Sequence, residues 1–545
     1  MRAINDMTWA DAVFKRLTDP PSGTARRVET APQPSFANAW RTDVPAAAVV
    51  YLIALPLCLG VGLASGAPPS AGIISGVVGG VVVGALSGSQ LMVSGPAAGL
   101  TAVVIPAIIT LSSYRAFLVA VVLSGVFQVL LAWCRAGVVA YYFPSSVIRG
   151  MLAAIGLILI LKQVPHAVGY DANFAGDEAF LQANAENTLT AIVHALSSIE
   201  PAAIVLSLLA VAMLAAWGNS RLGRLGWLPG AVAVVLAGTG AQMVLPRLHP
   251  SMQLGAEHFL AVPVLSSLSD VSRLFASPDW AAFWRAETWQ IALVLAIVGS
   301  LESLLSLEAT DRMDPYKREA PSNRELAAQG AGNIVAGLIG GLPVTGVIVR
   351  SAANVDAGAQ SRLSAILQGL FLAATVLTVP ALLNRIPLAS LAILLIYTGF
   401  KLLHPSVLRY MWLQGRSHFV PFVVTLVAIF FTNLPAGVAI GLSVGFIFIL
   451  VDQLRFPCYT VVSPPGSVLT RLRLHDQVTF LNKATLARLF DRLAPGSRIE
   501  IDGTACRHID HDVLEYISDF RRAARRKRID FRTVGITLPP ISPSH

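Results

Sequence analysis

The chain has 545 residues, of which 54% are hydrophobic and 13% are charged, and it carries a net charge of +9 at pH 7 with a mean hydropathy of +0.65. Soluble globular proteins carry about 25% charged residues, so the composition excludes a purely soluble protein. High apolar content without a short repeat excludes a disordered or fibrous chain. The apolar runs are continuous rather than alternating, which excludes an outer-membrane barrel and leaves an all-α polytopic membrane domain.

Residues 1–43 are predicted to form a cytoplasmic N-terminal leader, because they mix both charges and lack the apolar core of a signal peptide. Between Asp43 and Arg115 the chain then has 71 residues without Asp, Glu, Lys or Arg, which is room for about three crossings. The apolar segments predict a transmembrane transport domain over 44–452. About fourteen crossings are expected, near 45–65, 71–88, 96–111, 116–133, 145–163, 200–217, 227–245, 288–310, 326–341, 344–358, 363–383, 386–401, 417–433 and 435–451.

The charges of the connecting loops predict the orientation of the chain. The loop 165–199 carries acidic side chains and no Lys or Arg, whereas 219–226 and 311–325 carry two and four Lys or Arg residues. Lys and Arg in short loops mark the cytoplasmic side. The sequence therefore predicts a multi-pass protein of the plasma membrane, the inner membrane in a bacterium, with both termini cytoplasmic.

Two of the predicted crossings are short and begin at a proline, Pro96 and Pro343, 247 residues apart. Each is the third crossing of a seven-crossing half, which predicts two inverted repeats with a transport site at the two short segments. Half-helices that start inside the membrane present free N–H groups and a positive dipole end, which together form an anion site. The alternative is a pair of Pro-kinked helices with glycine packing. The predicted substrate-binding residues of these segments are Ser94, Gly95, Pro96, Ala97, Ala98 and Gly99 in the first, and Thr345, Gly346, Val347, Ile348, Val349 and Arg350 in the second.

Two charged residues inside predicted crossings are candidates for function. Arg350 costs about 2.5–3.5 kcal/mol at the bilayer centre on insertion scales, so it needs a partner, which is a substrate anion, a carboxylate or backbone carbonyls. Glu302 is predicted either to bind a coupling proton or sodium ion, with Ser306 on the same helix face, or to be the counter-ion of Arg350. The sequence has no nucleophile–base pair and no Cys/His metal-ligand spacing, so we predict no enzyme, no bound metal and no cofactor beyond coupling Na⁺ or H⁺.

The composition changes at residues 456–457. Residues 453–545 carry 15 Lys or Arg and 9 Asp or Glu, and they alternate predicted strands (468–474, 477–480, 498–501, 529–534) with predicted helices (483–493, 512–525). This pattern predicts a cytoplasmic α/β domain. Its basic run, 521–528, has no interleaved aromatic residues, so we predict no binding of nucleic acid.

Over about 45–540 the chain resembles the SulP family of anion transporters, the bacterial and plant relatives of solute carrier family 26. The resemblance rests on the segments 94–96, 299–305 and 341–354. It implies two intertwined seven-helix inverted repeats, a core domain that moves against a gate domain, a homodimer, and a C-terminal STAS domain at 453–545 that supports dimerisation, trafficking or the binding of a cytoplasmic protein partner. It also implies that Leu57 and Cys58 line the substrate site, but many members have a Pro-Gln pair where this chain has Pro56-Leu57, so a polar substrate contact is missing there.

The resemblance further implies the substrate class. Residues 55–58 and 347–352 are similar to a subgroup whose members often carry a fused carbonic anhydrase, which favours bicarbonate over sulfate. We therefore predict a secondary active transporter or exchanger of a small inorganic anion with an elevator-like mechanism. The alternatives are a passive anion channel, a proton-coupled nucleobase symporter of the same architecture, and a scaffold or sensor that acts through the STAS domain.

Overall fold

The computed structural model describes residues 36–96, 98–173, 180, 186–219, 229–263, 274–455, 458–462 and 469–539. The chain divides into two compact units, Met1–Leu442 and Ser443–His545. In its described residues, the regular structure of the first unit is helical apart from one pair of three-residue strands, β1 (Ser94–Pro96) and β2 (Val344–Gly346).

The helices up to the second unit are numbered in chain order, and some of them contain 3₁₀ or π turns. They are α1 (Phe36–Ala64), α2 (Pro69–Leu86), α3 (Ala98–Leu111), α4 (Tyr114–Trp133), α5 (Ser145–Val168), α6 (Thr188–Ser197), α7 (Pro201–Asn219), α8 (Gly230–Leu248), α9 (Ala286–Met313), α10 (Ser322–Ile339), α11 (Ile348–Asp356), α12 (Leu363–Thr378), α13 (Pro380–Leu383), α14 (Leu388–Leu402), α15 (Pro405–Leu413), α16 (Arg416–Phe431) and α17 (Leu434–Arg455).

Within the described ranges, eight helices are long and apolar enough to cross a membrane, or nine if α6 and α7, which meet at 111°, form one span. The helices α3, α12 and α16 are apolar but shorter. The expected count of about fourteen crossings, in two inverted repeats, stays a prediction. The difference lies in elements such as α11, which has nine residues, too few to span the hydrocarbon core alone.

The helices that carry the ribbon are packed through small residues. A methyl group on Gly125 of α4 would lie 2.5 Å from the carbonyl oxygen of Gly330 on α10, and one on Gly330 would lie 2.6 Å from the carbonyl oxygen of Gly125. Such pairs let two backbones approach closely without polar side chains. The tight crossing holds α10 closely against α4.

The two predicted half-helices are joined by a ribbon that the sequence did not indicate. Strands β1 and β2 pair antiparallel, with Gly95 opposite Thr345 and Pro96 opposite Val344. We expected each half-helix to begin at its proline, and this is wrong: Pro96 ends β1, and α11 begins only at Ile348. A proline is tolerated in a strand that has a free edge, and a two-stranded ribbon consists only of edge strands.

The second unit has the predicted α/β character. Its main sheet has the order β3 (Tyr459–Val461), β4 (Leu469–Leu474), β6 (Arg498–Asp502), β8 (Asp530–Val534), with β3 antiparallel and the other pairs parallel. A second sheet pairs β5 (Gln477–Val478) with β7 (His508–Ile509), and the helices are α18 (Lys483–Asp491) and α19 (His511–Arg526). The expected strand over 477–480 is shorter because Thr479 caps a 3₁₀ turn, and β3 and β7 were not predicted.

Candidate functional site

Arg350 lies in the first turn of α11, and its side chain is completely buried. Its Nη2 donates to the sulfur of Cys58 on α1 at 3.2 Å. Its Nη1 occupies the space beside Gly95, where a methyl group would lie 2.2 Å away. A glycine at this position of β1 is therefore what admits the guanidinium to the ribbon.

The guanidinium of Arg350 is only partly satisfied. Among the described residues, its Nε and Nη1 have no hydrogen-bond partner. A buried charge without a partner is destabilising by several kcal/mol. The part of the chain that the structure describes therefore leaves a buried cation in need of an anion.

One face of the ribbon presents further polar groups. Residues that are directly opposite in an antiparallel pair share a face, so Thr345 projects on the same face as the space beside Gly95. The Thr345 hydroxyl is buried and has no partner among the described residues. The cation and the hydroxyl thus belong to one surface of the ribbon.

The backbone N–H groups at the start of α11 are of two kinds. Some donate to groups elsewhere in the protein, and others belong to the first helical turn. The Val347 N–H donates to the Val93 carbonyl at 2.9 Å, and the Gly346 N–H donates to the Ser303 hydroxyl at 3.2 Å. The side chains of Ile348 and Val349 pack in the apolar core. Their N–H groups belong to the first turn of a helix, where no intrahelical acceptor exists, so only their backbone is suited to contact an anion.

Helix α9 brings the predicted coupling residues to the ribbon. Glu302 is buried, and its Oε1 would lie 3.0 Å from a methyl group on Gly99, so the carboxylate rests against the first turn of α3. Ser306 is buried one turn later, against Gly346. The two interpretations of Glu302, as the site of a coupling cation or as the counter-ion of Arg350, both stay predictions.

Other predicted site residues lie away from this surface. The Ser94 hydroxyl accepts a hydrogen bond from Gln329 of α10 at 2.7 Å, Leu57 packs in the apolar core, and Ala98 is half-buried at the start of α3. Ala97 lies outside the described residues.

Sequence reasoning missed two residues that hold the ribbon, Ser303 and Asn333. Asn333 of α10 accepts from the Val344 N–H at 2.6 Å and donates to the Val344 carbonyl at 3.0 Å. The available signal was the spacing of Asn333 with Gln329, two amides one helical turn apart in an otherwise apolar segment.

A cavity of about 860 Å³ lies at the C-terminal end of α9, next to α5 and α15. Its lining carries both signs of charge, and Arg312 donates to Glu308 at 2.9 Å within it. It does not include the predicted substrate or coupling residues. One of its lining residues, Leu307, follows the predicted coupling residue Ser306 in the sequence.

A second polar cluster joins two histidines through one carboxylate. Both oxygens of Asp171 accept hydrogen bonds, one from His166 and the other from His258 Nδ1 at 2.6 Å. Burial raises the pKa of Asp171, but the two histidines outweigh it and lower the pKa overall. The hydrogen bond to Asp171 raises the pKa of His258. Within the described ranges no group of three or more His, Cys, Asp or Glu side chains is arranged to hold a metal ion.

Comparison with known proteins places the whole arrangement in a family. Residues 40–425 match the model of the sulfate permease family. The chain is 27% identical over 415 residues to the "Putative sulfate transporter YvdB" of Bacillus subtilis, covering 75% of this chain and 74% of that protein. It is 26% identical over 383 residues to the bicarbonate transporter BicA of Picosynechococcus, covering 68% of this chain and 63% of that protein.

Solved structures share the fold. The transmembrane domain of a cyanobacterial bicarbonate transporter BicA matches with a TM-score of 0.51 at 23% identity, covering 76% of this chain and 98% of that one. The overall structure of SLC26A9 matches with a TM-score of 0.63 at 16% identity, covering 92% and 86%. At these identities the likeness concerns the fold alone. Because the family model spans well over half of its length, the chain belongs to the sulfate permease family, whose members are membrane transporters and not enzymes.

Proposed function

We propose that this protein is a secondary active transporter or exchanger of a small inorganic anion, with bicarbonate favoured and sulfate next. The observation that carries the proposal is the buried guanidinium of Arg350, whose Nε and Nη1 have no acceptor in the described chain. Oxyanions supply the acceptors that a guanidinium binds best. The relatives named for sulfate and bicarbonate transport carry substrates of this class.

The anion binds, in this proposal, on the face of the ribbon that Gly95 and Thr345 share. Arg350 supplies the charge, the Thr345 hydroxyl supplies a further donor, and the first N–H groups of α11 supply a positive helix end. All of these groups are present before the anion arrives, so little reorganisation is needed on binding.

The charges around the ribbon favour a monovalent anion and a coupling cation. With Glu302 ionised, Arg350 offsets one carboxylate, and the charge of the anion remains. Burying additional charge is costly, so a proton or a sodium ion at Glu302 and Ser306 offsets the charge of bicarbonate. Sulfate carries one more charge than bicarbonate and needs one more cation, which is the physical reason to favour bicarbonate.

We also propose how the anion crosses the membrane and where the protein acts. The cavity at the end of α9 is the access route on one side, and an elevator-like movement of the ribbon and its supporting helices carries the anion to the other side. The protein acts as a homodimer in the plasma membrane with both termini cytoplasmic. Its STAS domain binds a cytoplasmic protein partner.

Uptake into proteoliposomes tests the proposal. Labelled bicarbonate, sulfate and uracil are offered in parallel, with and without inward sodium or proton gradients, to wild type and Glu302→Gln. We expect bicarbonate to accumulate under one gradient and Glu302→Gln to abolish accumulation. The exposed Glu287, on the same helix, gives the control Glu287→Gln, which should behave as wild type.

Each other outcome changes the assignment. Equilibration of both anions that is unaffected by Glu302→Gln would remove coupling at Glu302 and favour an exchanger. Voltage-dependent current without counterflow would favour a channel. Uptake of uracil alone would replace the anion proposal with nucleobase transport.

A further inference from the structure

Helix α10 buries a row of three polar side chains behind the ribbon, Glu325, Gln329 and Asn333, which we call the α10 polar row. The residues are four apart, so they lie on one helix face. All three are almost completely inaccessible, and the site described above uses none of them for contact with an anion. Polar groups are expensive to bury, so their cost has to be offset by the bonds they make.

The row begins at a buried carboxylate that is held only by neutral donors. Glu325 Oε1 accepts from Gln329 Nε2 at 2.8 Å, and Oε2 accepts from the Ser87 hydroxyl at the end of α2. The charged groups around Glu325 are Arg324 on its own helix, Asp311 on α9, and Arg362, which donates to the Ser87 carbonyl at 3.4 Å.

Gln329 connects Glu325 to the ribbon through hydrogen bonds. Its Nε2 has two hydrogens, and the structure gives each an acceptor: Glu325 Oε1 at 2.8 Å and Ser94 Oγ at 2.7 Å. The amide is therefore fixed from both sides. Ser94 is the first residue of β1, next to Gly95, which admits the guanidinium of Arg350.

Asn333 holds the other strand. Its side chain accepts from the Val344 N–H and donates to the Val344 carbonyl. It also donates to Gln128 Oε1 of α4 at 2.7 Å. Since Val344 pairs with Pro96, α10 fixes both strands of a ribbon that has only three residue pairs. Two short strands are marginal on their own, so the ribbon depends on this support.

We propose that the α10 polar row is the positioning device of the anion site and that Glu325 acts through Gln329 on Ser94 without touching the anion. The inference rests on the proposed function for its transport readout. When Glu325 is ionised, it makes charge-assisted hydrogen bonds, which are stronger than those of neutral acceptors. Removing the charge loosens Gln329 and, through it, the position of β1 beside Arg350.

Glu325→Gln is the first test, because the amide keeps the shape and an oxygen that accepts from Gln329. We expect the KM for the transported anion to rise about threefold to tenfold with little change in Vmax, from the lost charge assistance. Hydrogen exchange of the Gly95 and Val344 amides should rise in parallel. The control Glu287→Gln removes an exposed carboxylate and should leave both readouts at the wild-type values.

A double-mutant cycle tests the route of the effect. If Glu325 acts through Gln329 on Ser94, then Ser94→Ala raises KM, and Glu325→Gln adds nothing further in the Ser94→Ala background. Additive effects would overturn this route. Ser94→Ala removes one oxygen, so it also tests the row if Glu325→Gln does not fold, since an unchanged KM and an unchanged ribbon exchange in Ser94→Ala would contradict the proposal.

The two proposals fail in different ways. If wild type transports no anion, the proposed function fails, whereas exchange of the ribbon amides still reports on positioning in Glu325→Gln. If wild type transports an anion and Glu325→Gln leaves both KM and ribbon exchange unchanged, the α10 polar row has no positioning role and this inference is wrong.

Discussion

At the scale of single residues, the buried charge of Arg350 has opposite effects on stability and on function. It lowers the stability of the folded state, and in the proposed function it is needed to bind the anion. A buried charge without a partner destabilises the folded state, and Arg350 leaves two nitrogens without acceptors in the described chain. We expect Arg350→Met to raise the melting temperature in anion-free buffer. The same change should raise the KM tenfold or more, since hydrogen bonds to a charged group contribute about 1.5–3 kcal/mol.

Thermal unfolding with and without bicarbonate or sulfate checks this prediction. Anion should raise the melting temperature of wild type and leave that of Arg350→Met unchanged. Arg247→Met, at an exposed arginine near the end of α8, should respond as wild type does. An Arg350→Met protein that is less stable than wild type and still responds to anion would mean that the guanidinium has a structural partner.

His258 gives a second prediction at this scale, on pH. Its pKa is raised above the usual 6.5 by the hydrogen bond to Asp171, with Glu257 and Glu200 adding to the effect. The stabilisation is therefore complete below about pH 6.5 and is lost as the pH rises through the raised value. Asp171 has a lowered pKa, so its share is present above the usual 3.8 and is lost as the pH falls.

Hydrogen exchange of the segment 256–262, corrected for the intrinsic rate, measures this directly. Protection should fall as the pH rises above about 6.5 and His258 loses its proton. His258→Gln keeps a donor for Asp171 but does not titrate, so its protection should not depend on pH over this range. A wild-type profile that is equally flat would contradict the assignment of the ion pair.

At the scale of elements, the ribbon brings together residues from distant parts of the sequence. It places Gly95 opposite Thr345 and beside the guanidinium of Arg350. It has three residue pairs, too few for stability alone, so its position follows from α9 and α10. Ser303 fixes the Gly346 N–H from one side, and Asn333 fixes Val344 from the other. The ribbon therefore supports Arg350, and α9 and α10 hold the ribbon in place.

Gly95→Ala tests whether the ribbon and Arg350 fit together as described. The added methyl group would lie 2.2 Å from Arg350 Nη1, so the guanidinium has to move while the strand remains. We expect the KM to rise about tenfold or more from the displaced charged hydrogen bond, with folding retained. Gly240→Ala on α8 is the matched control, because its methyl group meets no atom within 4 Å; an equal KM in both variants would contradict the fit.

At the scale of the whole molecule, the long uncharged runs made the helical class predictable. The pair of prolines also identified the two segments that meet at the site, because a broken helix is marked in the sequence by a short apolar segment that begins near Gly and Pro. The strand pairing of Gly95 with Thr345 was not predictable, since three-residue strands 250 residues apart have no periodic signal. Nor did the sequence indicate that the Ser94 side chain turns to α10, because the direction of a side chain depends on packing that forms only in the fold.

The two compact units predict two separable stabilities. Phe490 is buried in the core of the second unit and stacks on Phe520 at 3.9 Å between ring centroids, and truncating such a residue costs about 3–5 kcal/mol. We expect Phe490→Ala to lower one of two thermal transitions and to leave anion uptake within about twofold of wild type, because the anion site lies wholly in the first unit. Phe480→Ala, at a largely exposed ring, should change neither. If uptake falls together with the lower transition, transport depends on the second unit, and the scaffold or sensor role of that unit becomes the better description of what it does.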